Sequence, residues 1–177
     1  MKLKNGEVLI IEKAKKEDAQ KIIDYCNIVG GESDNLTFGG NGFHKTLEEE
    51  QSFIKDISTS KTNALLIGKV NDEIVCVGSI VSPSKERLLH QCNIGISVKK
   101  KYWNNGVATY LMNEIISFAR QSGVCEIVHL GVKSDNVRAI GLYKKFGFEE
   151  IGVYKKFFKI DGEYFDEILM NLYLEVQ

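Results

Sequence analysis

Between Asn93 and Ala119 the chain changes its period, and that change limits what it can fold into. The run NIGISV (Asn93–Val98) is apolar and β-branched and reads as a strand. From Gly106 onward, Ala108, Leu111, Met112, Ile115, Ile116 and Ala119 repeat at alternating steps of three and one, the stripe of a helix buried on one face. A strand that feeds an amphipathic helix implies a sheet with a helix packed on it. The junction itself reads KKKYWNNG, Lys99 to Gly106. The first amides of a helix lack partners and point outward, Gly106 allows close backbone approach, and asparagine tolerates unusual dihedrals in tight turns. Such a corner suits a phosphate or diphosphate, with Lys99, Lys100 and Lys101 adding local positive charge. The same residues also describe an ordinary turn flanked by a solvated charge run. Neither a G-x-x-x-x-G-K-[ST] loop nor a G-x-G-x-x-G turn between strand and helix is present.

The rest of the chain supplies the companions of that unit. Strands are expected at Val8–Glu12, Ala64–Val70, Ile74–Val81, Leu88–Val98, Glu126–Val132, Glu149–Ile160 and Glu163–Leu174, and helices at Glu17–Val29, Leu47–Ser60, Gly106–Gln121 and Asn136–Phe146. Asn71-Asp72 and Asp161-Gly162 mark tight hairpins. Gly95 inside its strand suggests a bulge or a close backbone approach. Gly30–Thr46 is a long glycine-rich stretch without periodicity, expected to be mobile or functional, and its GGNG run at Gly39–Gly42 reads as a source of flexibility. The order β α α β β β α β α β β predicts an α/β fold of mixed α+β type. A single twisted mixed sheet of about seven strands carries helices on both faces, in one domain over residues 1–177.

Composition removes several function classes. A formal charge of −1 gives no global basic field for nucleic acid. No apolar run approaches the roughly 18 residues of a membrane span, and the opening apolar run, Val8–Ile11, is too short for a signal peptide. Cys26, Cys76, Cys92 and Cys125 lie far apart in apolar surroundings with no CxxC pair, which favours buried reduced thiols in a cytoplasmic protein and gives no metal-ligand spacing.

Two stretches carry a resemblance. ISVKKKYWNNGVATYLMNEIISFA, followed about thirty residues later by SDNVRAIGLYKKFGFEEIG, resembles the GNAT superfamily of acetyl-CoA-dependent N-acetyltransferases, and is most similar to the bacterial branch that writes the turn as YWxxGxA. GGESDNLTF and the closing DGEYFDEILMNLYL are also similar to members of that branch. The resemblance implies the GNAT fold and acetyl-CoA as cosubstrate, with no metal. It implies that the amides of Asn104, Asn105, Gly106, Val107 and Ala108 grip the coenzyme's diphosphate, with Trp103 at the first motif position, where Gln or Arg is common. It also implies that Ile96 and Val98 bond the pantetheine arm as a pseudo-strand, that Asn136 holds that arm, and that Tyr143 protonates the departing thiolate. Dimers are frequent in the superfamily, so a homodimer is compatible with it.

Acetyl transfer to an amine needs an uncharged nitrogen, a polarised carbonyl and a protonated leaving group. A lysine amine has a pKa of about 10.4 and an α-amino group about 7.7–8.0, so a base must take a proton. Asn136 and Tyr143 are seven residues apart in a predicted helix, nearly two turns, and therefore share a direction. Asn136 can also cap that helix. The Val98 amide is a candidate oxyanion donor. Relatives often carry a glutamate where this chain has Asn93, which cannot take a proton. Glu32 is then the leading base, with Asp34 behind it, each also readable as a solvated loop acid. His90 reads better as a sheet histidine than as a base, and Phe38 and Tyr154 as core aromatics before acceptor-pocket residues. The leading expectation is an N-acetyltransferase acting by direct transfer in a ternary complex on a primary amine, either a small molecule or a peptide N-terminus. The alternatives are a catalytically inactive acyl-CoA-binding sensor or interaction module and a phosphate-binding regulator of another class.

Overall fold

The computed structural model describes residues 1–175. Seven strands form one sheet: β1 (Ile10–Lys13), β2 (Ala64–Val70), β3 (Glu73–Val81), β4 (Gln91–Val98), β5 (Ile127–Lys133), β6 (Glu149–Ile160) and β7 (Glu163–Tyr173). Their spatial order is β1-β2-β3-β4-β5-β7-β6. Only β4 and β5 run parallel; the other neighbours are antiparallel. Four helices complete the fold: α1 (Ala19–Gly30), α2 (Leu47–Ser58), α3 (Val107–Gln121) and α4 (Val137–Lys145). Both tight hairpins turn as expected, with positive φ at Asn71 and Asp72 and at Asp161 and Gly162, the twist that matches flanking strands.

The two faces of the sheet bury separate cores. On one face Ile22, Tyr25, Cys26 and Val29 of α1 and Ile54 and Ile57 of α2 pack on Leu65, Ile67, Ile74 and Val77. On the other, Leu111, Met112, Ile115 and Ile116 of α3 pack on Leu66, Val75, Ile80 and Ile94. Helix α3 buries six side chains, each contributing about 1.5–3 kcal/mol when large and fully covered. Helix α4 buries only Tyr143. The strand–helix joint at α3 is therefore firmly seated, and α4 is held more lightly, by Tyr143 and the half-buried Ala139, Ile140 and Leu142.

Several sequence expectations shift by a turn or less. The strand before α3 starts at Gln91, because Glu86–Leu88 form a 3₁₀ turn. The second helix ends at Ser58 and the first strand starts at Ile10. Gly95 makes no bulge: it pairs in register with Ser79, and a Cβ there would meet only the Ser79 Oγ at 3.5 Å. The glycine-rich stretch is not loose linker. The Gly39 carbonyl lies where a Cβ at Gly30 would project, so glycine is needed for the loop to pack back on the end of α1. Asn27 fixes the returning strand of that loop, its carbonyl oxygen accepting from the Asn41 N–H at 3.3 Å and its Oδ1 from the Phe43 N–H at 3.3 Å. Parallel docking of β4 and β5 brings Cys92 and Cys125, 33 residues apart, to a Cα separation of 6.1 Å, so two cysteines remote in sequence become neighbours. Cys26 and Cys76 are free and buried. Among the described residues no helix is long and apolar enough to cross a membrane, and no cluster of three or more His, Cys, Asp or Glu could hold a metal ion.

Candidate active site

The sheet opens at its centre. Ladder pairing of β4 with β5 runs from Gln91↔Ile127 to Asn93↔His129 and goes no further. Along β4 the polar backbone groups alternate sides. Lys99 donates its N–H to the Val75 carbonyl of β3 at 2.9 Å, so the odd-numbered residues serve β3 and the groups of Ile96 and Val98 turn to the opening. One of them is engaged: the Val98 carbonyl accepts from Trp103 Nε1 at 2.8 Å.

Below the opening the chain makes a 3₁₀ turn, Lys100–Tyr102, pinned by buried Tyr102. Asn104 (φ +63) and Gly106 (φ +85) then adopt left-handed backbone before α3 begins at Val107. No side chain caps Gly106, and the helical ladder starts with Tyr110 N–H donating to the Gly106 carbonyl at 3.0 Å. The amides of the first turn, Val107 and Ala108 among them, thus point out at the dipole's positive end. Of the three expected lysines, Lys99 is committed to Glu73 at 2.6 Å. Arg138, which the sequence reading missed, takes its place: its guanidinium lies 3.7 Å from the centroid of the Trp103 ring and bridges from α4 to this corner.

Helix α4 contributes from the other side. Asn136 is its N-cap, with Oδ1 accepting from Ala139 N–H at 3.2 Å, which leaves its amide NH₂ to donate elsewhere. Tyr143 is 7% exposed and packs on Phe148 with ring centroids 5.7 Å apart. Burial pushes its phenol up to about 12, so it stays protonated at all working pH values. Asn136, Tyr143, Gly106, Ala108, Ile96 and Val98 line one cavity of about 950 Å³.

The same cavity continues to the other face of the sheet, under the glycine-rich loop. Phe38, Phe43 and Phe53 line it there, with the Lys45 ammonium 4.2 Å from the Phe53 ring and 2.8 Å from the buried Glu50 carboxylate. Glu32 also lines it, and its Oε2 accepts the Lys100 N–H at 2.6 Å, tying the loop to the β4–α3 corner. Asp34 is exposed and borders a smaller depression beside Phe157 and Phe158. Asn93 is exposed on β4 opposite Val81, His90 precedes that strand, and Tyr154 is 58% exposed on β6, edge-on to Phe157. Glu167 of β7, another lining residue, had no sequence signal: that strand buries Met170 and Leu172, and Glu167 lies on the opposite face.

The profile of the acetyltransferase (GNAT) family matches residues 33–148. This chain belongs to that family. An acetyltransferase of the GNAT family from Streptococcus pneumoniae superposes with a TM-score of 0.92 at 30% identity, covering 94% of this chain and all of that one. The protein yncA of Salmonella typhimurium, described as an acetyltransferase and solved with its cofactor acetyl-CoA, has the same fold, with a TM-score of 0.82 at 17% identity over 96% of this chain and 95% of its own. In sequence, the L-amino acid N-acetyltransferase AaaT of Escherichia coli is 34% identical over 105 residues, 59% of this chain. The N-alpha-acetyltransferase RimI of Mycobacterium tuberculosis is 31% identical over 67 residues, 38% of this chain. Those matches span 65% and 40% of the two relatives' own lengths.

Proposed function

We propose that this GNAT chain is an N-acetyltransferase that moves an acetyl group from acetyl-CoA to a primary amine by direct transfer, both substrates being bound at once. The observation that carries the reading is the shared cavity. An uncapped, glycine-initiated helix start, an open strand edge and a buried tyrosine all face one space. The residues fit acetyl-CoA. The amides of Asn104, Asn105, Gly106, Val107 and Ala108 hold the diphosphate, while Trp103 carries Arg138 beside it. The Ile96 and Val98 backbone and the Asn136 amide hold the arm, with the Val98 N–H placed to polarise the carbonyl. When bound, acetyl-CoA supplies an activated acetyl thioester. Tyr143 Oη donates a hydrogen to the sulfur as it departs.

The names of AaaT and RimI specify an L-amino acid and an N-alpha amine, which favours an α-amino acceptor. With a pKa of about 7.7–8.0, such an amine needs only a modest base near neutrality. The second reading is an inactive acyl-CoA-binding module. It rests on Asn93, an amide where relatives often place a carboxylate.

Thiol release from acetyl-CoA separates them, with L-phenylalanine, L-leucine, spermidine and a tetrapeptide with a free N-terminus as acceptors. Turnover on at least one is expected. Tyr143→Phe, which keeps the aromatic seat of α4, should lower kcat about 100-fold and leave acetyl-CoA affinity within about twofold. Tight acetyl-CoA binding with no turnover on any amine would establish the module instead.

A further inference from the structure

Beyond the point where β4 and β5 part, the next positions on the acceptor-side face are Gly95 and Gly131, one on each lip of the opening. Only one of the two spaces is filled. A Cβ at Gly131 would collide with the Oε1 and Cδ of Glu167 and lie 3.0 Å from its Cγ. Glu167 stands on β7 in register with Lys133, diagonal to Gly131, and its side chain is laid across the glycine toward the gap. The missing side chain on β5 is thus replaced by a carboxylate delivered from the neighbouring strand.

That carboxylate is uncommitted. Lys133, its cross-strand partner, directs its ammonium to Asp135 at 2.5 Å and over the Phe165 ring at 3.7 Å. Among the described residues Glu167 has no ion pair. His129, two residues before Gly131, is 2.8 Å from Asn171 Oδ1. The titratable groups facing Glu167 are therefore His129 and Lys133 on β5 and Tyr154 on β6, while Tyr143 and Glu32 line the same cavity. Glu32 differs in being engaged, its Oε2 already accepting the Lys100 N–H at 2.6 Å.

We propose that Glu167 is the catalytic carboxylate that receives the acceptor's ammonium and removes its proton, an inference that rests on the acetyl-transfer reading above. One N–H bond of the ammonium breaks, an O–H bond forms on a Glu167 oxygen, and the nitrogen keeps the electron pair. The proton passes from the carboxyl group to water at the cavity mouth, which regenerates the carboxylate. The nitrogen sheds a second proton on becoming an amide, which leaves by the same route, and Tyr143 recovers from water the proton it gave to the sulfur, so one proton is released per acetyl group transferred. Burial raises the Glu167 pKa, with His129 opposing it in part, and a raised carboxyl pKa suits a base working near neutral pH.

The test compares the full-length chain with Glu167→Gln, Glu32→Gln and Gly131→Ala. The last variant is compatible with the fold because its new methyl meets the end of a side chain and not main chain. Calorimetry reads acetyl-CoA affinity, kcat/KM against pH reads the base, and carbon-13 carboxyl titration reads Glu167 directly with CoA bound, before and after adding spermidine or L-phenylalanine. Expected results are unchanged acetyl-CoA affinity in all three, and a fall of about 100-fold in kcat/KM with loss of the acidic limb in Glu167→Gln. Gly131→Ala should follow it and Glu32→Gln should keep the limb. The Glu167 midpoint should lie above the ordinary glutamate value of about 4.3 and respond to the amine. Turnover in Glu167→Gln within about threefold of the unaltered chain with the limb intact, or a limb lost in Glu32→Gln, overturns the assignment alone. So does an ordinary Glu167 midpoint that ignores both amines. Failure of the unaltered chain to bind acetyl-CoA overturns the transfer reading and this inference together.

Discussion

The cavity has two halves built from different materials. On the side we propose for the coenzyme the groups on offer are main-chain amides, held by a local run: two left-handed residues, Asn104 and Gly106, followed by a helix seated by six buried side chains. On the side we propose for the acceptor the lining groups are side chains gathered from α1, the glycine-rich loop, α2 and β7, held by contacts as remote in sequence as Gly131 with Glu167. A main-chain site asks little of side-chain identity beyond a few glycines and asparagines, so it survives sequence drift. A side-chain site changes its chemistry with each substitution. One family can therefore keep its coenzyme and alter its acceptors.

The largest test of that contrast is Gly106→Asp. A carboxylate at the helix start, forced on a residue at φ +85, should weaken acetyl-CoA binding about 100-fold in calorimetry. Unchanged affinity would break the comparison by removing the main-chain cradle. Next is Gly30→Ala, whose methyl meets the Gly39 carbonyl and lies 2.9 Å from the Phe38 ring. It should cost about 1–3 kcal/mol in urea unfolding and raise KM for the amine while leaving acetyl-CoA affinity alone. Equal damage to both substrates would mean that the halves are one cooperative unit. The smallest effect supplies a reference for stability without chemistry. Asp18 is pushed up by burial, but the Lys15 N–H at 2.9 Å and the Lys69 ammonium at 2.9 Å outweigh that and hold its carboxyl below the usual range. A depressed folded pKa contributes stability above the unfolded value of about 3.9, lost as pH falls through the folded one. Asp18→Asn should thus unfold at lower urea than the parent at pH 6, with the gap closing in stronger acid, and both substrate affinities at neutral pH should stay put.

The two halves were unequally legible in the sequence. The Asn104-Asn105-Gly106 turn, the α3 stripe and both tight hairpins depend on neighbours in the chain, so spacing alone placed them within a residue or two. Arg138 on Trp103, Glu167 over Gly131 and Cys92 with Cys125 depend on which strands lie side by side, and no local pattern encodes that. The glycine-rich loop misled in a different way: glycine marks a close approach as readily as freedom, and only the Gly39 carbonyl over Gly30 distinguishes them. Lys99 shows the same limit for charge, its ammonium being spent on Glu73 of β3.

The parting of β4 and β5 after Asn93 and His129 also has a consequence for folding. A sheet with an unfilled rung at its middle is completed by whatever molecule lies along the gap, so occupancy and resistance to heat become one quantity. At a ligand concentration one hundred times Kd the native state gains about 2.7 kcal/mol over the unfolded chain. The melting curve of this protein should accordingly rise and fall with the supply of its coenzyme, before any acceptor is present.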